Sequence, residues 1–470
     1  MAYLVRAQDR APAVTTPVDP DPTLPRACII GGGSSGIAAA KQLYLARVPF
    51  DWFEQGPVLG GNWVLDNPNG VSACYESLEI NTSCPRMAFS DFPMPADYPD
   101  YARHDQVAAY FEEYVDHFGL RDRVTFGTRV EKVVPVEGDR WAVTVVGPEG
   151  EWTEGERTEV YDAVLVCNGH HWKARWPDYP GTFDGDQLHA HDYRGAAQLA
   201  GRDVVVVGAG NSAMDISVAG LGAARSVTVS QRRGEWVLRK HLLGRPVDQV
   251  GLPSWAPWWA TRARLTLGVL LSGNRDRGDL PRPDHAPGTS HPVQSASFLD
   301  AVRAGQIQVR PGIERLAGDR VEFVDGSSVA ADLIVWATGY EVAFPFLEEV
   351  LTVEGNDLPL WFRTVHPDHP GLFFIGLAQP VGAIMPIAEA QSAWVAEQLT
   401  GAYLPPPTEE VRRDLRRTDA AYKKRFYAGE RHTMQVDFDH YLWSLERERR
   451  RGRRRAADGR GGQIPTVRRN

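Results

Sequence analysis

Two glycine-rich segments have the residue types and spacing that bind the phosphates of a dinucleotide. The first reads Gly31-Gly32-Gly33-Ser34-Ser35-Gly36, and the second reads Gly208-Ala209-Gly210-Asn211-Ser212-Ala213. In this pattern the first glycine allows a tight turn, and the second lets the backbone approach a pyrophosphate. The third position, glycine or alanine, lets a helix pack closely on a strand. The unpaired N–H groups of that helix then face the phosphates. The sequence therefore predicts two dinucleotide sites in one chain.

The side chains about 20 residues beyond each glycine segment differ in charge. Glu54 ends the first such stretch, whereas Arg232 and Arg233 end the second. A carboxylate at this position hydrogen-bonds a bare ribose 2′-hydroxyl, and a guanidinium accommodates a 2′-phosphate. The first site therefore suits FAD and the second suits NADPH. The alternative for the two arginines is a pair of solvated turn residues.

The elements around both segments are those that such a site requires. Apolar runs at Ala27–Ile30 and Val204–Val207 lead into the glycines, and helix-forming residues follow each turn. Short runs of this kind are typical of strands buried in a parallel sheet. The predicted fold class is α/β, with two Rossmann-like dinucleotide-binding domains built on doubly wound parallel sheets.

The residues predict no metal centre and no redox-active thiol pair. The chain has four scattered cysteines and no C-x-x-C pair, and its histidines lack partners at metal-ligand spacing. A dithiol reductase and a thiolate zinc site are therefore disfavoured. A flavin that receives hydride from NADPH then has oxygen as its natural electron acceptor, because the cofactor itself carries that chemistry.

Four motifs give the sequence a family resemblance. They are Phe183–Arg194, which is similar to F-x-G-x-x-x-H-x-x-x-[YF]-[KR], Gly60–Trp63, Ala337–Tyr340, and Tyr75–Pro93 with its Asn-Thr-Ser. Together they resemble the flavin-containing monooxygenases, the class B flavoprotein monooxygenases, over about residues 27–445. The N-terminal extension is similar to that of a bacterial branch of this family. The resemblance implies a NADPH domain inserted in a split FAD domain.

The resemblance also implies roles for individual residues. Asn81 would be the catalytic residue that contacts the nicotinamide nucleotide and positions the oxygenated flavin. Val130 would offer its backbone to the adenine, and Gln379 would reach the flavin. Cys84 and Pro85 depart from the family, which usually has a lysine after Asn-Thr-Ser. Taken with the glycine segments, the predicted cofactor-binding residues are Gly31, Gly33, Ser35, Gly36, Glu54, Gly61, Asn62, Trp63, Asn81, Val130, Tyr193, Gly208, Gly210, Asn211, Ser212, Arg232, Arg233, Thr338, Gly339 and Gln379.

The implied activity is NADPH- and O2-dependent oxygenation of a small soft nucleophile, an amine nitrogen or a sulfide sulfur, through a C4a-hydroperoxyflavin. The alternative is Baeyer–Villiger oxidation of ketones to esters or lactones by the same machinery. The Baeyer–Villiger signature typically ends in a tryptophan, whereas Tyr193-Arg194 stands here, which favours heteroatom oxygenation. Two other classes are less favoured. They are a disulfide reductase, whose C-x-x-C is missing, and a flavin-binding scaffold that acts through an arginine-rich tail.

The order of the motifs sets the expected domain limits. Residues 446–470 hold ten arginines against three acids, so they are expected to be a solvated, disordered tail. The Trp-, Pro- and Gly-rich stretch at about 251–291 does not fit a regular βαβ pattern and is expected to form a lid or channel. The remaining limits are an N-terminal extension at 1–25, the FAD domain at 26–172 and 333–445, and the NADPH domain at 173–332.

Charge and hydropathy limit the partners. The formal net charge is −9, and the basic tail leaves the rest of the chain at −16. Nucleic acid is disfavoured, because phosphate neutralisation needs a basic face. Arg262 and Arg264 interrupt the most apolar window, Leu252–Leu271, so no membrane span is expected. No secretory signal is visible, so the chain is expected to be cytoplasmic. The expected partners are a small-molecule substrate and O2, and a homodimer is an allowed assembly.

Overall fold

A computed structural model describes residues 10–147, 155–249, 256, 258–290, 293–425 and 434–459. Its strands, in chain order, are β1 (Ala27–Ile30), β2 (Phe50–Phe53), β3 (Val124–Thr125), β4 (Arg129–Val136), β5 (Arg140–Val146), β6 (Glu156–Tyr161), β7 (Ala163–Val166), β8 (Lys173–Ala174), β9 (Gly181–Phe183), β10 (Asp186–His189), β11 (Asp203–Val207), β12 (Ser226–Ser230), β13 (Val237–Leu238), β14 (His241–Leu242), β15 (Arg245–Pro246), β16 (Val293–Gln294), β17 (Gln308–Arg310), β18 (Ile313–Gly318), β19 (Arg320–Phe323), β20 (Ser328–Ala330), β21 (Leu333–Trp336), β22 (Tyr340–Glu341), β23 (Leu372–Phe374), β24 (Gln379–Val381) and β25 (Gln435–Asp437). Its α-helices are α1 (Ser34–Leu45), α2 (Cys84–Met87), α3 (His104–His117), α4 (Asn211–Gly220), α5 (Trp258–Leu271), α6 (Ala296–Arg303), α7 (Met385–Leu399), α8 (Thr408–Arg425) and α9 (Phe438–Ala457).

The first domain is built on a sheet with the strand order β23-β7-β1-β2-β3, in which every pair is parallel. Alternate residues of a strand point to opposite faces of the sheet. Ala27 and Ile29 of β1 belong to the same buried cluster as the apolar residues of α1, α3 and α7. Cys28 and Ile30 belong to the cluster of the antiparallel sheet β4-β5-β6. Because both faces of β1 are covered, its sequence is an uninterrupted apolar run.

The second domain repeats this construction. Its sheet has the order β10-β21-β11-β12-β17, again with every pair parallel. Val204 and Val206 of β11 pack in one cluster with α4 and α6, and Val205 and Val207 pack in another with β18 and β19. The chain therefore contains two Rossmann-type sheets, each with helices on one face and a smaller sheet on the other, whereas the predicted doubly wound arrangement would have helices on both faces.

The two domains are joined at one crossing. The outgoing strand β8 pairs antiparallel with the returning strand β22, with Tyr340 opposite Ala174. The sequence places residues from 333 onward in the first domain. The structure instead pairs β21 with β10 and β11 of the second sheet, so the return begins after Trp336. The missed signal is that Leu333–Trp336 is a buried strand that completes the second sheet.

The described part of the N-terminal extension lies on the first domain. The backbone N–H of Ala11 donates to the carbonyl oxygen of Asp91 at 2.9 Å, and that of Val14 donates to His117 at 3.0 Å. The guanidinium of Arg10 lies 4.3 Å from the ring centroid of Phe92. Residues 10–14 are thus fastened to the Asp91-Phe92-Pro93 motif and to the end of α3.

The expected disordered tail from residue 446 is wrong for residues 446–457, which are the second half of α9. Arg449 and Arg453 both form ion pairs with Glu397 of α7, at 2.7 and 2.5 Å. A Cβ atom at Gly452 would overlap the ring of Tyr403, so the helix packs closely at that point. The arginine run therefore has acidic and aromatic partners on the folded domain. Residues 460–470 lie outside the described residues.

The segment expected to form a lid is described only in part, since residues 250–255, 257 and 291–292 lie outside the described residues. Its main element is α5, in which Leu265 and Val269 pack on Leu238 of β13. Across the described residues, no helix combines the length and the apolar character that a membrane crossing needs. The role of this segment as a lid stays a prediction.

Candidate active site

The first glycine segment makes the close approaches that its pattern predicts. Gly31 has a φ of +108°, and a Cβ atom there would lie 2.7 Å from the carbonyl oxygen of Cys167, at the end of β7. A Cβ atom at Gly36 would overlap the carbonyl oxygen of Gly31. A Cβ atom at Gly61 would lie 3.3 Å from the Cα atom of Gly33. The backbone of the loop therefore packs against the backbone of the Gly60–Trp63 turn with no side chain between them, as a phosphate-binding loop requires.

Glu54 is buried at the end of β2 and holds this loop in place. One of its carboxylate oxygens accepts the N–H of Gly32 at 2.6 Å, and the other accepts the N–H of Gly56 at 2.8 Å. The amide of Asn69 also reaches the carboxylate, at 3.3 Å. An ionised carboxylate has about four acceptor positions, so capacity for a ribose hydroxyl remains. The motif does not include Gly56 and Asn69: Gly56 is only two residues beyond Glu54, and the fold brings Asn69 to it from 15 residues away.

Five other predicted residues of the FAD site lie around this loop. The Oδ1 atom of Asn62 accepts the N–H of Ala73 at 3.1 Å, which fixes the turn that carries Trp63. Ser35 contacts Gly376, where a Cβ atom would overlap its hydroxyl. Gln379 lies on β24, three residues beyond Gly376. Val130 lies on β4, two residues beyond Thr128, whose N–H donates to the carbonyl oxygen of Glu54 at 3.0 Å.

The second glycine segment has the same geometry. Gly208 has a φ of +149°, and a Cβ atom there would overlap the carbonyl oxygen of Ala337, at the end of β21. This contact is the counterpart of Gly31 against Cys167. Gly210 precedes α4, and the Oδ1 atom of Asn211 accepts the N–H of Gln294 at 3.0 Å. Ser212 is half-buried in the first turn of α4.

Three arginines, rather than the two predicted, lie at the strand ends where the ribose of the second dinucleotide is expected. Arg232 and Arg233 are exposed just beyond β12. Arg310 ends the neighbouring strand β17, paired with Ser230, and its Nε atom is buried without a partner among the described residues. Sequence reasoning missed Arg310, because the motif does not state which strand lies beside β12. Positive charge at this edge suits a 2′-phosphate.

Asn81 lies in a segment that two residues of the second domain hold by hydrogen bonds. Lys240 donates to the carbonyl oxygen of Ile80 at 3.2 Å, and the N–H of Ser83 donates to Asp248 at 2.8 Å. Asn81 itself is half-buried, and no other described residue hydrogen-bonds its amide side chain. Residues 240–249 were not a sequence candidate, and the structure brings them to the predicted catalytic residue.

Thr338, Gly339 and Tyr193 lie at the crossing between the domains. The hydroxyl of Thr338 donates to the carbonyl oxygen of Arg175 at 2.5 Å, and the N–H of Arg175 donates to Gly339 at 3.0 Å. Tyr193 is fully buried, with its ring 5.7 Å from that of Tyr75. Thr338 and Gly339 thus join the two connections, and a direct contact with a cofactor stays a prediction for all three.

Buried polar atoms at the ligand edge of the first sheet fit a bound flavin. The Nε2 atom of His170 and the Nε1 atom of Trp172, just beyond β7, are buried without partners among the described residues. Burial holds the pKa of His170 well below its usual range, so the ring is neutral. At the crossing between the domains, burial also raises the pKa of Tyr193 to about 12, and the Tyr193 hydroxyl likewise has no described partner. Such groups are costly unless a ligand or water meets them.

Two Rossmann-type domains joined at one crossing, with an acid at one ribose position and arginines at the other, define a flavoprotein that reacts with a nicotinamide dinucleotide. Residues 25–254 and 281–448 match the family model described as flavin-binding monooxygenase-like. The chain belongs to this family. It is 33% identical over 442 residues to flavin-containing monooxygenase 5 of Cavia porcellus, covering 88% of this chain and 81% of the relative.

Solved structures share the fold. S-allyl-L-cysteine S-oxygenase from Allium sativum superposes with a TM-score of 0.67 at 24% identity, over 93% of each chain. Cyclohexanone monooxygenase from Rhodococcus sp. Phi1, bound to NADP+, gives 0.67 at 17% identity, over 94% of this chain and 100% of that chain. The predicted fold class is confirmed, with an NADPH domain inserted in a split FAD domain. The chain is a flavin monooxygenase, and FAD and NADPH are its cofactors.

Proposed function

We propose that the protein oxygenates a small soft nucleophile, an amine nitrogen or a sulfide sulfur, with NADPH and O2. The observation that carries this proposal is the hydrogen bonding between the Asn81 segment and the second domain. The second domain holds the Asn81–Ser83 segment through Lys240 and Asp248, while the amide of Asn81 has no partner among the described residues. An amide without a described partner, on a segment whose neighbouring backbone groups are hydrogen-bonded on both sides of it, is suited to orient a reactant.

Bound FAD, reduced by NADPH, supplies the activation of O2 and the transfer of one oxygen atom. The protein's residues bind, orient and exclude water. The first glycine segment and Glu54 would hold FAD, and the second segment with Arg232, Arg233 and Arg310 would hold NADPH. The role of Asn81 would be to hydrogen-bond the nicotinamide nucleotide and keep water from the reacting atoms.

The relatives support a heteroatom as the acceptor. One is named dimethylaniline monooxygenase [N-oxide-forming] 2, from Macaca mulatta, and the Allium sativum structure is titled an S-oxygenase. The motif that would end in tryptophan in a ketone oxygenase here ends in Tyr193, which is fully buried, and Arg194, which pairs with Asp66 at 3.0 Å. Baeyer–Villiger oxidation of ketones is the second candidate, since cyclohexanone monooxygenases share the fold.

The test offers the FAD-loaded protein a tertiary amine, a thioether and a cyclic ketone, each with NADPH and 18O2. An N-oxide or a sulfoxide that carries one 18O atom supports the proposal, and a labelled lactone without either supports the second candidate. Consumption of NADPH that yields only hydrogen peroxide with all three compounds would contradict both.

We further propose a cytoplasmic location and a homodimer. All four cysteines are buried and free, which supports a reducing compartment. Light scattering during size-exclusion chromatography tests the assembly, because a mass of one chain would exclude the dimer.

A further inference from the structure

Arg86, on α2, is a buried cation with donors to spare. Its side chain is nearly inaccessible, with the whole residue 4% exposed. The Nη2 atom donates to both carboxylate oxygens of Asp439, at 3.1 and 3.2 Å, and the guanidinium lies 4.9 Å from the ring centroid of Phe438. The Nε and Nη1 atoms are buried and have no partner among the described residues. Leaving donors of a charged group unmet is expensive, so these N–H groups call for an acceptor.

Asp248, between β15 and α5, is an anion with an acceptor atom that lacks a described hydrogen-bond partner. Its Oδ2 atom accepts both the N–H and the hydroxyl of Ser83, at 2.8 and 2.9 Å. Its Oδ1 atom is buried and has no partner among the described residues. The nearby hydroxyl of Tyr101 donates to the carbonyl oxygen of Lys240 at 2.6 Å. Asp248 is half-buried, and its Oδ1 atom is thus a buried acceptor beside the Tyr101 hydroxyl, whose hydrogen bond goes to Lys240.

Ser83 ties these two groups together beside Asn81. Its carbonyl oxygen accepts the N–H of Arg86 at 2.8 Å, while its own N–H and hydroxyl bind Asp248. Ser83 is two residues beyond Asn81. An unmet cationic donor and an unmet anionic acceptor therefore flank the predicted catalytic segment.

The same group lies next to the predicted flavin-contacting strand. Phe438, under the Arg86 guanidinium, packs on Gly382, where a Cβ atom would lie 2.8 Å from the Cβ of Phe438. Gly382 follows β24, the strand that carries Gln379. Arg86 thus lies between the Asn81 segment and the β24 segment.

The charges around Arg86 and Asp248 match a ligand that carries both signs. Burial lowers the pKa of Arg264, on α5, and the positive charge of nearby Arg86 lowers it further. Asp437 accepts the N–H of His440 at 3.1 Å at the start of α9. With Asp439, the group holds two guanidinium ions and three carboxylates. A ligand with only a negative charge would be repelled by the carboxylates, and a ligand with only a positive charge would leave the N–H groups of Arg86 without an acceptor. A zwitterion provides a partner for both Arg86 and the carboxylates.

We propose that Arg86 and Asp248 bind the α-carboxylate and the α-ammonium group of a free amino acid, whose side chain presents the sulfide or amine to be oxygenated. This inference rests on the proposed function and names its substrate class. The carboxylate takes the N–H groups of Arg86 that lack partners, and the ammonium group donates to Oδ1 of Asp248. Both contacts are charge-assisted hydrogen bonds in a buried site.

Binding is measured without turnover, by calorimetry on the FAD-loaded protein. Norleucine has the two charged groups and a side chain without sulfur or nitrogen, hexanoate lacks the ammonium group, and pentylamine lacks the carboxylate. We expect norleucine to bind at least about tenfold more tightly than either, since loss of one charged hydrogen bond costs that much or more. Equal binding of the three compounds would overturn the inference.

Variants assign the contacts. Arg86→Gln and the isosteric Asp248→Asn are each expected to weaken norleucine binding by at least about tenfold. The matched control is Arg450→Gln, an exposed arginine of α9 that pairs with Glu446 at 2.9 Å, and it should bind norleucine like the parent. Since Arg86→Gln could disturb α9 through Asp439, Asp248→Asn and thermal melting of all variants keep the test decisive. Undiminished binding by both folded variants would overturn the inference.

Turnover separates this inference from the proposed function. With S-methylcysteine and a neutral thioether as substrates, each variant should raise KM for the amino acid at least about tenfold more than it raises KM for the neutral thioether. A neutral thioether oxygenated as well as S-methylcysteine would overturn the amino acid assignment while the monooxygenase activity stands. Absence of labelled oxide from every sulfide and amine would overturn the proposed function, even if norleucine binds.

Discussion

The hydroxyl of Tyr75, in the first domain, donates a 2.8 Å hydrogen bond to the carboxylate of Asp215, in α4 of the second domain. Burial raises the pKa of Asp215 to about 6. The hydrogen bond from Tyr75 and the positive charge of Lys240 lower this pKa, whereas the negative charge of Glu79 raises it. The bond therefore joins the flavin domain to the helix that begins at the second phosphate loop.

This carboxyl makes stability depend on pH. An unfolded aspartate titrates near 3.8, so between about pH 4 and 6 the folded chain holds a proton that the unfolded chain has lost. The stabilisation is complete below pH 4 and is lost as the pH rises through 6, a change of about 2–3 kcal/mol. Asp215→Asn should remove this slope. Urea unfolding at pH 5 and pH 7.5 would measure it. Asp97→Asn, at an exposed acid, is the control, and a slope shared by all three proteins would refute the assignment.

The three arginines at the second ribose position should select NADPH over NADH. Arg232→Gln, Arg233→Gln and Arg310→Gln should each raise KM for NADPH by about 10- to 100-fold, because each loses a charged hydrogen bond of about 1.5–3 kcal/mol. KM for NADH should change little. Arg225→Gln serves as a control, since Arg225 pairs with Asp203 at the opposite end of the strands. Equal increases for both nucleotides would argue against a 2′-phosphate site.

Asn81→Ala should uncouple NADPH oxidation from product formation. Without the amide, water reaches the reacting atoms more readily, so more hydrogen peroxide should form per NADPH consumed. Peroxide and product are quantified together in an oxygen-electrode assay. Thr82→Ser, a small change at the adjacent residue, should keep the coupling of the parent. Unchanged coupling in the Asn81 variant would remove this residue from the site.

Gly452→Ala should destabilise the C-terminal helix. The new methyl group would overlap the ring of Tyr403, and such overpacking costs about 1–3 kcal/mol. Differential scanning calorimetry should show a lower melting temperature. Gly222→Ala, at a position with open space around the Cβ, should melt like the parent. Equal melting of both variants would mean that α9 does not pack on Tyr403.

The parts of the site that depend on local sequence could be predicted. The glycine segments, Glu54 and the arginines after β12 follow from short motifs, and the structure gives Gly31 and Gly208 the tight contacts that those motifs imply. Both cofactors followed from the residue types at the ribose positions. The family and the fold class that these motifs indicated are confirmed.

The parts that depend on distant contacts could not be predicted. Ser83 and Asp248 are 165 residues apart, and Arg86 and Asp439 are 353 apart. No motif links such pairs, because the first joins the two domains and the second joins two segments of the first domain that the inserted domain separates in sequence. The arginine run of α9 looked solvated for the same reason, since its partner Glu397 lies 52 residues before Arg449.

The pairing of β8 with β22 has a consequence for modularity. The chain leaves the first domain and returns to it at adjacent residues, Ala174 and Tyr340. The second domain is therefore a cassette, an inserted unit whose two chain connections form one pair of strands. A short linker could close that gap without stretching the flavin domain. The whole cassette could likewise be transplanted between relatives at these two joints, so nucleotide preference could be exchanged independently of the flavin-binding half.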